Sequence, residues 1–425
     1  MGYSLGGPVL GPASTVLVGK QFFKRLALRA ACAAAGPRAE RRMAPEAKHT
    51  RQPDASSEDD TMTPTSVRFQ PAHSTPFAKA LRSAAQDWLQ GQDEHRHADA
   101  RIALKALFLL ILAAGAYAAI LKASSALCLL LAFMAFSALS MALAMNVLHD
   151  AAHEALFRRA AWNRWARRLV SMPVGVDSDY WTVRHVQIHH TWANVDGLDL
   201  DIEPNPFLRQ TPYQAWAPQY RYQHRYWPLI AALSLPYLCW YSDWADRLGM
   251  TPVGRPAGLQ NTGAWARFLL NKAAHIGLML VWPTVVLTAR GTGLGWTNVL
   301  GAYVIGQLLA SCFLVAMILG THWAEVEFFK PEPGQQRLPH TWYEHSFLTA
   351  CDWVPRPAWL GYWLGGLNHH LTHHLFPTWS HRHYPDLAKV VADVAQAHGL
   401  PYRSLRYGEL HAAQQRFLRA MGERP

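Results

Sequence analysis

Histidines gather at three places in this chain: His149 and His153; His185, His189 and His190; and His370, His373 and His374. Residues three or four apart on a helix share a face, with Cβ atoms about 5–6 Å apart, so each group can aim two imidazoles at one point. That is metal-ligand geometry. One such pair arises readily by chance, and a lone histidine on an apolar surface is ordinarily structural. Three groups in one chain are what carry the reading. Imidazole suits iron, zinc, copper and nickel, so the residue types leave the choice of metal open. A tetrahedral zinc takes four ligands, and eight imidazoles therefore point to two ions.

The elements that must position these groups are long and apolar. The chain has 425 residues, 50% of them hydrophobic and 12% aromatic, and its mean hydropathy of −0.05 is an average of polar ends and apolar blocks. A membrane span needs about 20 mainly apolar residues. Residues 106–121 lie between Lys105 and Lys122, whose stems can snorkel, and residues 123–148 carry no charge and run into His149. Residues 273–289 end at Arg290, and residues 291–321 are uncharged up to His322. The pattern predicts transmembrane helices near 103–121, 124–148, 273–289 and 297–320, arranged as two hairpins. A fifth aromatic stretch, 226–244, contains Pro228 and Pro236 and ends in Asp243 and Asp246; it reads as interfacial or re-entrant. Parity supports this, because one further crossing would put the third histidine group on the opposite face from the first two. Arg158, Arg159, Arg164, Arg167, Arg168 and Arg184 lie among the first two groups, whereas the hairpin tips offer Lys122 and Arg290. By the positive-inside rule the histidines are cytoplasmic.

Residues 1–70 are rich in Ala, Gly, Pro, Arg and Ser without apolar periodicity, which predicts a disordered basic extension, read as sequence upstream of a start at Met43 or Met62. Residues 71–100 contain Phe77, Leu81, Ala84 and Trp88 at helical spacing and predict an amphipathic interfacial helix. Residues 101–425 form the membrane domain. The five cysteines are scattered without a C-x-x-C, so no disulfide or thiolate site is assigned. The net charge of +11 fits attraction to anionic headgroups rather than nucleic acid.

In context, His149-Asp150-Ala151-Ala152-His153, then Trp181 through Arg184 and His185 to His189-His190-Thr191-Trp192, then Gly365-Gly366-Leu367-Asn368-His369-His370 to His373-His374-Leu375-Phe376-Pro377 resemble the three boxes of the membrane fatty acid desaturase family. The likeness extends through Asn194-Val195-Asp196-Gly197 and covers roughly residues 77–407. It implies an all-α integral membrane protein: four transmembrane helices in two hairpins, with a cytoplasmic helical cap holding the metal site. It also implies two iron ions that activate O2 and remove two hydrogens from adjacent methylenes of an acyl-lipid or acyl-CoA, leaving a cis double bond. Carried over residue by residue, the ligands are His149, His153, His185, His189, His190, His370, His373 and His374. His322, in Gly320-Thr321-His322-Trp323, stands where the family often has one more ligand just past its last span. His369 is off the family pattern and reads as outer-sphere or packing. Relatives fused to cytochrome b5 usually have glutamine where His370 stands, and no His-Pro-Gly-Gly haem motif occurs; electrons are expected from a separate ferredoxin or cytochrome b5 type protein, and the location from a bacterial inner membrane.

Metal-bound imidazoles need acceptors on their other ring nitrogen. Asp150, Asp196 and Asn368 are the residues expected to serve, Asp150 foremost because it sits between two ligands. Asp199, Asp201, Glu203, Asn194 and Asp352 are also near, although the 199–203 run reads more simply as solvated surface. Trp181, Trp192, Tyr237, Trp240 and Tyr241 could line or gate a dry acyl slot. The alternatives are a related histidine-box hydroxylase acting on a lipid, alkane, sphingoid base or carotenoid, and a non-redox metal transporter or zinc protease. An H-E-x-x-H protease is disfavoured because Ala155, Leu156 and Phe157 follow His153-Glu154, and a transporter because the histidines lie at or beyond span ends.

Overall fold

A computed structural model describes residues 67–425 apart from 72–74, 93–94 and 255–256. The basic extension expected over residues 1–70 lies, up to residue 66, outside the described residues. The described chain is mostly helical. Four helices are long and apolar enough to cross a membrane: α2 (Ala100–Lys122), α3 (Ala126–Ala152), α7 (Thr262–Ala289) and α8 (Trp296–His322). Between and after them come α4 (Ala160–Val174), α5 (178–192), α6 (223–247) and the shorter α9 (Trp342–Thr349), α10 (His370–Leu375), α11 (Tyr384–Ala397) and α12 (Tyr407–Gly422). The helix before them, α1, is Pro76–Gly91.

Caps explain where the spans begin. The Asp99 carboxylate accepts from Ile102 N–H at 3.0 Å, Ser125 Oγ from Cys128 N–H at 3.2 Å and Asn261 Oδ1 from Ala264 N–H at 2.8 Å, each satisfying an orphan donor of a first turn. The third helix therefore starts eleven residues before the expected position 273. Lys272, just before that position, is buried within the helix and paired with Asp243 at 2.6 Å. The break expected at Pro228 and Pro236 is also absent, since α6 runs through both. Ser311 of α8 inserts into the α6 ladder, its hydroxyl accepting from Leu235 N–H at 2.8 Å and donating to Ala231 O. A side chain bridging the i→i−4 gap is how a helix accommodates a nearby proline.

α8 packs along both α3 and α6. The approach to α3 is close at Gly306, where a Cβ would lie 2.5 Å from Ser137 Oγ and 3.1 Å from Phe133 O, as small residues permit between membrane helices. α1 turns Phe77, Leu81 and Ala85 onto Phe347, Leu371, Leu375 and Leu387. Its apolar face is therefore covered by protein, which corrects the expectation of an interfacial helix. Two parallel two-stranded ribbons interrupt the helical architecture: β1 (Arg68–Gln70) with β2 (Arg337–Thr341), and β3 (Asp352–Val354) with β4 (Ser404–Arg406). Such short strands leave no periodic signal, and none was expected.

Box three is delivered by a glycine turn. Gly365 has φ +60°, and a Cβ there would lie 2.3 Å from Met145 O in α3. Beside it, Asn146 donates through Nδ2 to Trp363 O at 2.9 Å, stitching α3 to the same turn. Gly365→Ala adds a left-handed strain and a backbone clash, and should lower stability by about 2–4 kcal/mol. A fall in the thermal midpoint of the detergent-solubilised protein checks this, and an unchanged midpoint would show that the turn is not tightly packed.

Candidate metal centre

All nine histidines singled out above converge. His149, His153, His185 and His373 have one nitrogen each within 4.8 Å of one another, and so do His189, His322, His370 and His374. His190 joins the first group, with Nε2 3.2 Å from His185 Nε2 and 3.0 Å from His373 Nε2. Seven are buried, while His185 and His322 are half-buried.

Helix geometry divides the boxes between the groups. Adjacent residues on a helix project about 100° apart, so His189-His190 and His373-His374 cannot each serve one point. In α10, His373 faces the first group while His370 and His374 face the second. In α5, His189 faces the second while His185 and His190 face the first. That last pair is five residues apart, which an α-helix would not align. Residues 183–189 form a π-helical turn, whose i→i+5 repeat does. A second π-helical turn, Ala144–Leu148, delivers His149 at the end of α3.

The protons decide what the nitrogens can do. His322 Nδ1 donates to Thr349 O at 2.8 Å, and His189 Nδ1 donates to the Asp199 carboxylate at 3.2 Å. His322 therefore turns a lone pair inward from Nε2, and His189 does the same once its second proton is displaced. Yet these two Nε2 atoms are 3.1 Å apart, and His370 Nε2 is 2.7 Å from His322 Nε2. His373 Nδ1 likewise donates to Tyr384 OH at 2.8 Å, because that hydroxyl itself donates to Trp379 O at 3.0 Å. Facing lone pairs repel unless a cation lies between them. Ligands at right angles around an ion, with metal–nitrogen bonds of about 2.0–2.1 Å, sit about 3 Å apart, which matches the observed spacings of 2.7–3.2 Å. Both ring nitrogens of His153, and His374 Nε2, are buried polar atoms without a partner among the described residues. The residues present fit a pair of metal ions.

Electrostatics agree. Burial first, then the neighbouring imidazoles, holds His153, His185, His190, His370, His373 and His374 well below the ordinary histidine range, so these rings stay neutral and able to ligate. His189 differs. Burial lowers it, but Asp199 and Asp201 overcome this and push it up to about 9. A ring so strongly drawn to positive charge is an electron-rich donor once a metal ion takes the proton's place.

The expected outer-sphere residues behave otherwise than supposed. Asp150 accepts from Ser380 Oγ at 2.8 Å and His381 Nδ1 at 2.9 Å rather than from a box histidine, because its side chain leaves the helix away from His149 and His153. Asp196 faces Lys330 at 3.7 Å, Asn368 donates to Trp353 O at 3.5 Å, and His369 lies 3.8 Å from Asp352. The acceptors are instead Asp199, buried rather than solvated, the Thr349 carbonyl and Tyr384. Thr349 and Tyr384 carry no sequence signal, since a carbonyl belongs to any residue and Tyr384 lies eleven residues from the ring it orients.

A cavity of about 230 Å³ opens beside the centre. His149, His185, His189, His322 and His370 form one wall, and Met145, Leu148, Leu238, Leu314 and Ile318 form much of the rest. Trp181 lines it and stacks on His185 at 4.5 Å and 16°. Trp192 does not line it but stacks on Phe69, and Tyr237, Trp240 and Tyr241 are exposed on α6.

Two groups of buried imidazoles beside an apolar slot would suit oxidation of a lipid, and comparison with known proteins decides the family. The family model for fatty acid desaturases matches residues 123–406, two-thirds of the chain. This chain belongs to the fatty acid desaturase family. The desaturase is 28% identical over 295 residues to the sn-1 linoleoyl-lipid 6-desaturase of Synechocystis sp., covering 66% of this chain and 77% of that one. It is 26% identical to the enzyme of the same name from Arthrospira platensis, covering 61% and 69%. It is 25% identical to the acyl-lipid (8-3)-desaturase of Physcomitrium patens, covering 82% and 72%.

Asp199 orients and charges His189, so Asp199→Asn should weaken metal retention about 10–100-fold, read as metal content after titration with a chelator. Tyr384→Phe should act in the same direction through His373. Retention equal to wild type in both variants would remove the outer sphere described here.

Proposed function

We propose that this desaturase inserts a cis double bond into an acyl group carried on a membrane lipid, using two iron ions, O2 and two electrons from a separate ferredoxin or cytochrome b5 type donor. The observation that carries the reading is the convergence of imidazole nitrogens, in two groups, onto the wall of an apolar slot. His149, His153, His185, His190 and His373 would hold one ion, and His189, His322, His370 and His374 the other. The bound iron pair would supply the oxidising power, drawn from O2, to remove two hydrogens from adjacent methylenes. The relatives named for lipid-linked acyl groups support a lipid carrier.

The protein's own residues supply the rest. The slot's aliphatic walls take up an acyl chain and exclude water, which matters because an oxidant able to attack an unactivated C–H bond must be kept from competing groups. Trp181, stacked on His185, fixes the orientation of a ligand ring and presents a flat apolar surface to the chain. Asp199, Tyr384 and the Thr349 carbonyl hold the protons of their rings on Nδ1, so that Nε2 remains available.

The four apolar helices are read as two hairpins beneath a cytoplasmic cap in a bacterial inner membrane. α4 supports that placement. It exposes Trp162, Trp165 and Leu169 beside Arg158, Arg159 and Arg164, a pairing suited to an anionic interface. Domain boundaries follow: an extension to about residue 70, α1 as a packed flank, and the catalytic membrane domain from about residue 101.

Replacing His149, His189 or His373 by alanine should abolish turnover while leaving membrane insertion intact. Iron and zinc per purified chain, paired with fatty acid profiling of expressing cells, checks the reading. About two irons and a new unsaturated species are expected. Iron with a hydroxylated product would replace desaturation by hydroxylation, and zinc without any lipid change would remove the redox reading altogether.

A further inference from the structure

Several ionisable side chains lie inside the spans yet touch no proposed ligand. Charged groups at membrane depth are costly and are retained for function. Lys272 of α7 is buried, and its ammonium donates to Gly175 O at 2.6 Å, Cys239 O at 2.7 Å and Asp243 Oδ2 at 2.6 Å. His275, one turn on, donates through Nδ1 to Met172 O at 2.7 Å, and its Nε2 meets Tyr303 OH at 2.8 Å. Cys239 Sγ donates to Gly175 O at 3.0 Å, Gln307 Nε2 to Val174 O at 3.4 Å and Asn271 Nδ2 to Val176 O at 3.4 Å. Asp243 also accepts from Asp177 N–H at 2.7 Å.

These side chains come from α6, α7 and α8, and they converge on one short turn. The carbonyls of Met172, Val174, Gly175 and Val176 and the amide of Asp177 are all held by side chains of these helices, buried except for the half-buried Asn271. Gly175 has φ +88°, and a Cβ there would lie 2.6 Å from Cys239 Sγ and 2.8 Å from His275, so the backbone is pressed directly against the clamp. Helix packing alone asks only for small apolar residues. In a low-dielectric interior each of these bonds is expensive to lose, and together they fix the turn rigidly.

What the turn presents is the end of the slot. Val174 and Val176 line the cavity. Met141, Val174 and Leu235 line it on one side and, on the other, a small separate void bordered by Ser137, Ser140 and Gln307. These three side chains are therefore a partition. Met141 is eight residues before His149 on α3, about 12 Å along the helix, so the partition closes the slot well away from the metal-binding wall. The hydroxyls of Ser137 and Ser140 and Gln307 Oε1, behind it, have no partner among the described residues, a poor setting for a methyl terminus.

We infer that the Val174–Val176 turn, with Met141 and Leu235, is the stop that sets the acyl chain length this enzyme accepts, and that Lys272, His275, Gln307 and Cys239 are positioning residues that hold the stop in place. The inference rests on the acyl-desaturase reading above. A chain anchored by its headgroup at the mouth extends inward until its methyl end meets the partition. Adding or removing a methylene at an apolar pocket wall shifts discrimination by about tenfold or more.

The test measures products from acyl chains of graded length in wild type and variants, with double-bond positions assigned by mass spectrometry. Met141→Ala and Val174→Ala should raise turnover of a chain two methylenes longer than the preferred one about tenfold relative to it, with the bond position counted from the carboxyl end unchanged. Leu235→Phe should shift preference the opposite way. Lys272→Met should broaden the length distribution in both directions; because it strands Asp243, Cys239→Ala provides a milder loosening with the same direction of effect. Wild type without any unsaturated product would overturn the acyl-desaturase reading. Active wild type with unaltered length ratios in Met141→Ala and Val174→Ala would overturn the stop alone, and unaltered ratios in both Lys272→Met and Cys239→Ala would overturn the clamp.

Discussion

The arrangement on which everything else depends is electrostatic: buried imidazoles, most of them held neutral, crowd their ring nitrogens to within about 3 Å of one another. His322 shows it most plainly, since its Nδ1 proton is engaged by the Thr349 carbonyl while the Nε2 atoms of His189 and His370 lie 3.1 and 2.7 Å from its own. Protonation offers little relief for most of the cluster, because burial opposes charge on His153, His185, His190, His370, His373 and His374. A pair of metal ions would draw these nitrogens together, and its binding would then be coupled to the fold.

That coupling explains the odd local geometry. Two points must be served by ligands from four chain segments, and α5 and α10 pass between them. Each presents adjacent histidines at about 100° to each other, one toward each point. α5 cannot do so with regular α geometry, because His185 and His190 must face the same way. The π-helical turn over residues 183–189 brings them into register. The similar turn at Ala144–Leu148 is tied by Asn146 to the carbonyl of Trp363 just before the Gly365 turn, so the ends of boxes one and three are set against each other through backbone contacts.

The residue pattern carried much of this architecture. The spacing of the boxes and the uncharged runs beside them were enough to locate eight of the histidines and four apolar helices, because i,i+4 geometry and hydropathy are local properties, whereas His322 came from the family resemblance. It failed where partners are distant in sequence. Asp199 looked like solvated surface among other acids, but Asn194 N–H and His189 Nδ1 bury its carboxylate. Asp150 looked like an outer-sphere ligand because of its neighbours, whereas it bonds Ser380 and His381 from 230 residues away. Tyr384 and the Thr349 carbonyl had no mark at all. The amphipathic pattern of α1 was read correctly as a helix, but periodicity does not say whether the apolar stripe meets lipid or protein.

Two lysines show a common physical rule. Lys105, expected at the end of a span, and Lys272, adjacent to the expected start of another, both lie buried inside helices. Lys105 donates to Tyr362 O at 2.8 Å and meets His381 Nε2 at 2.8 Å, while His381 Nδ1 donates to Asp150. Lys272 does the same at Gly175. An ammonium on a long flexible stem has three donors that diverge in space, so one lysine can hold a carbonyl from one segment and acceptors from others at once. A guanidinium, planar and forked, suits a flat bidentate acceptor instead. In the membrane interior, where no water competes, such a contact fixes backbone more firmly than apolar packing can. One lysine thus anchors the turn before box three and the other the turn that closes the slot, so the distance between the oxidising site and the end of the substrate chain is set by two charges that the hydropathy pattern alone would place at the membrane surface.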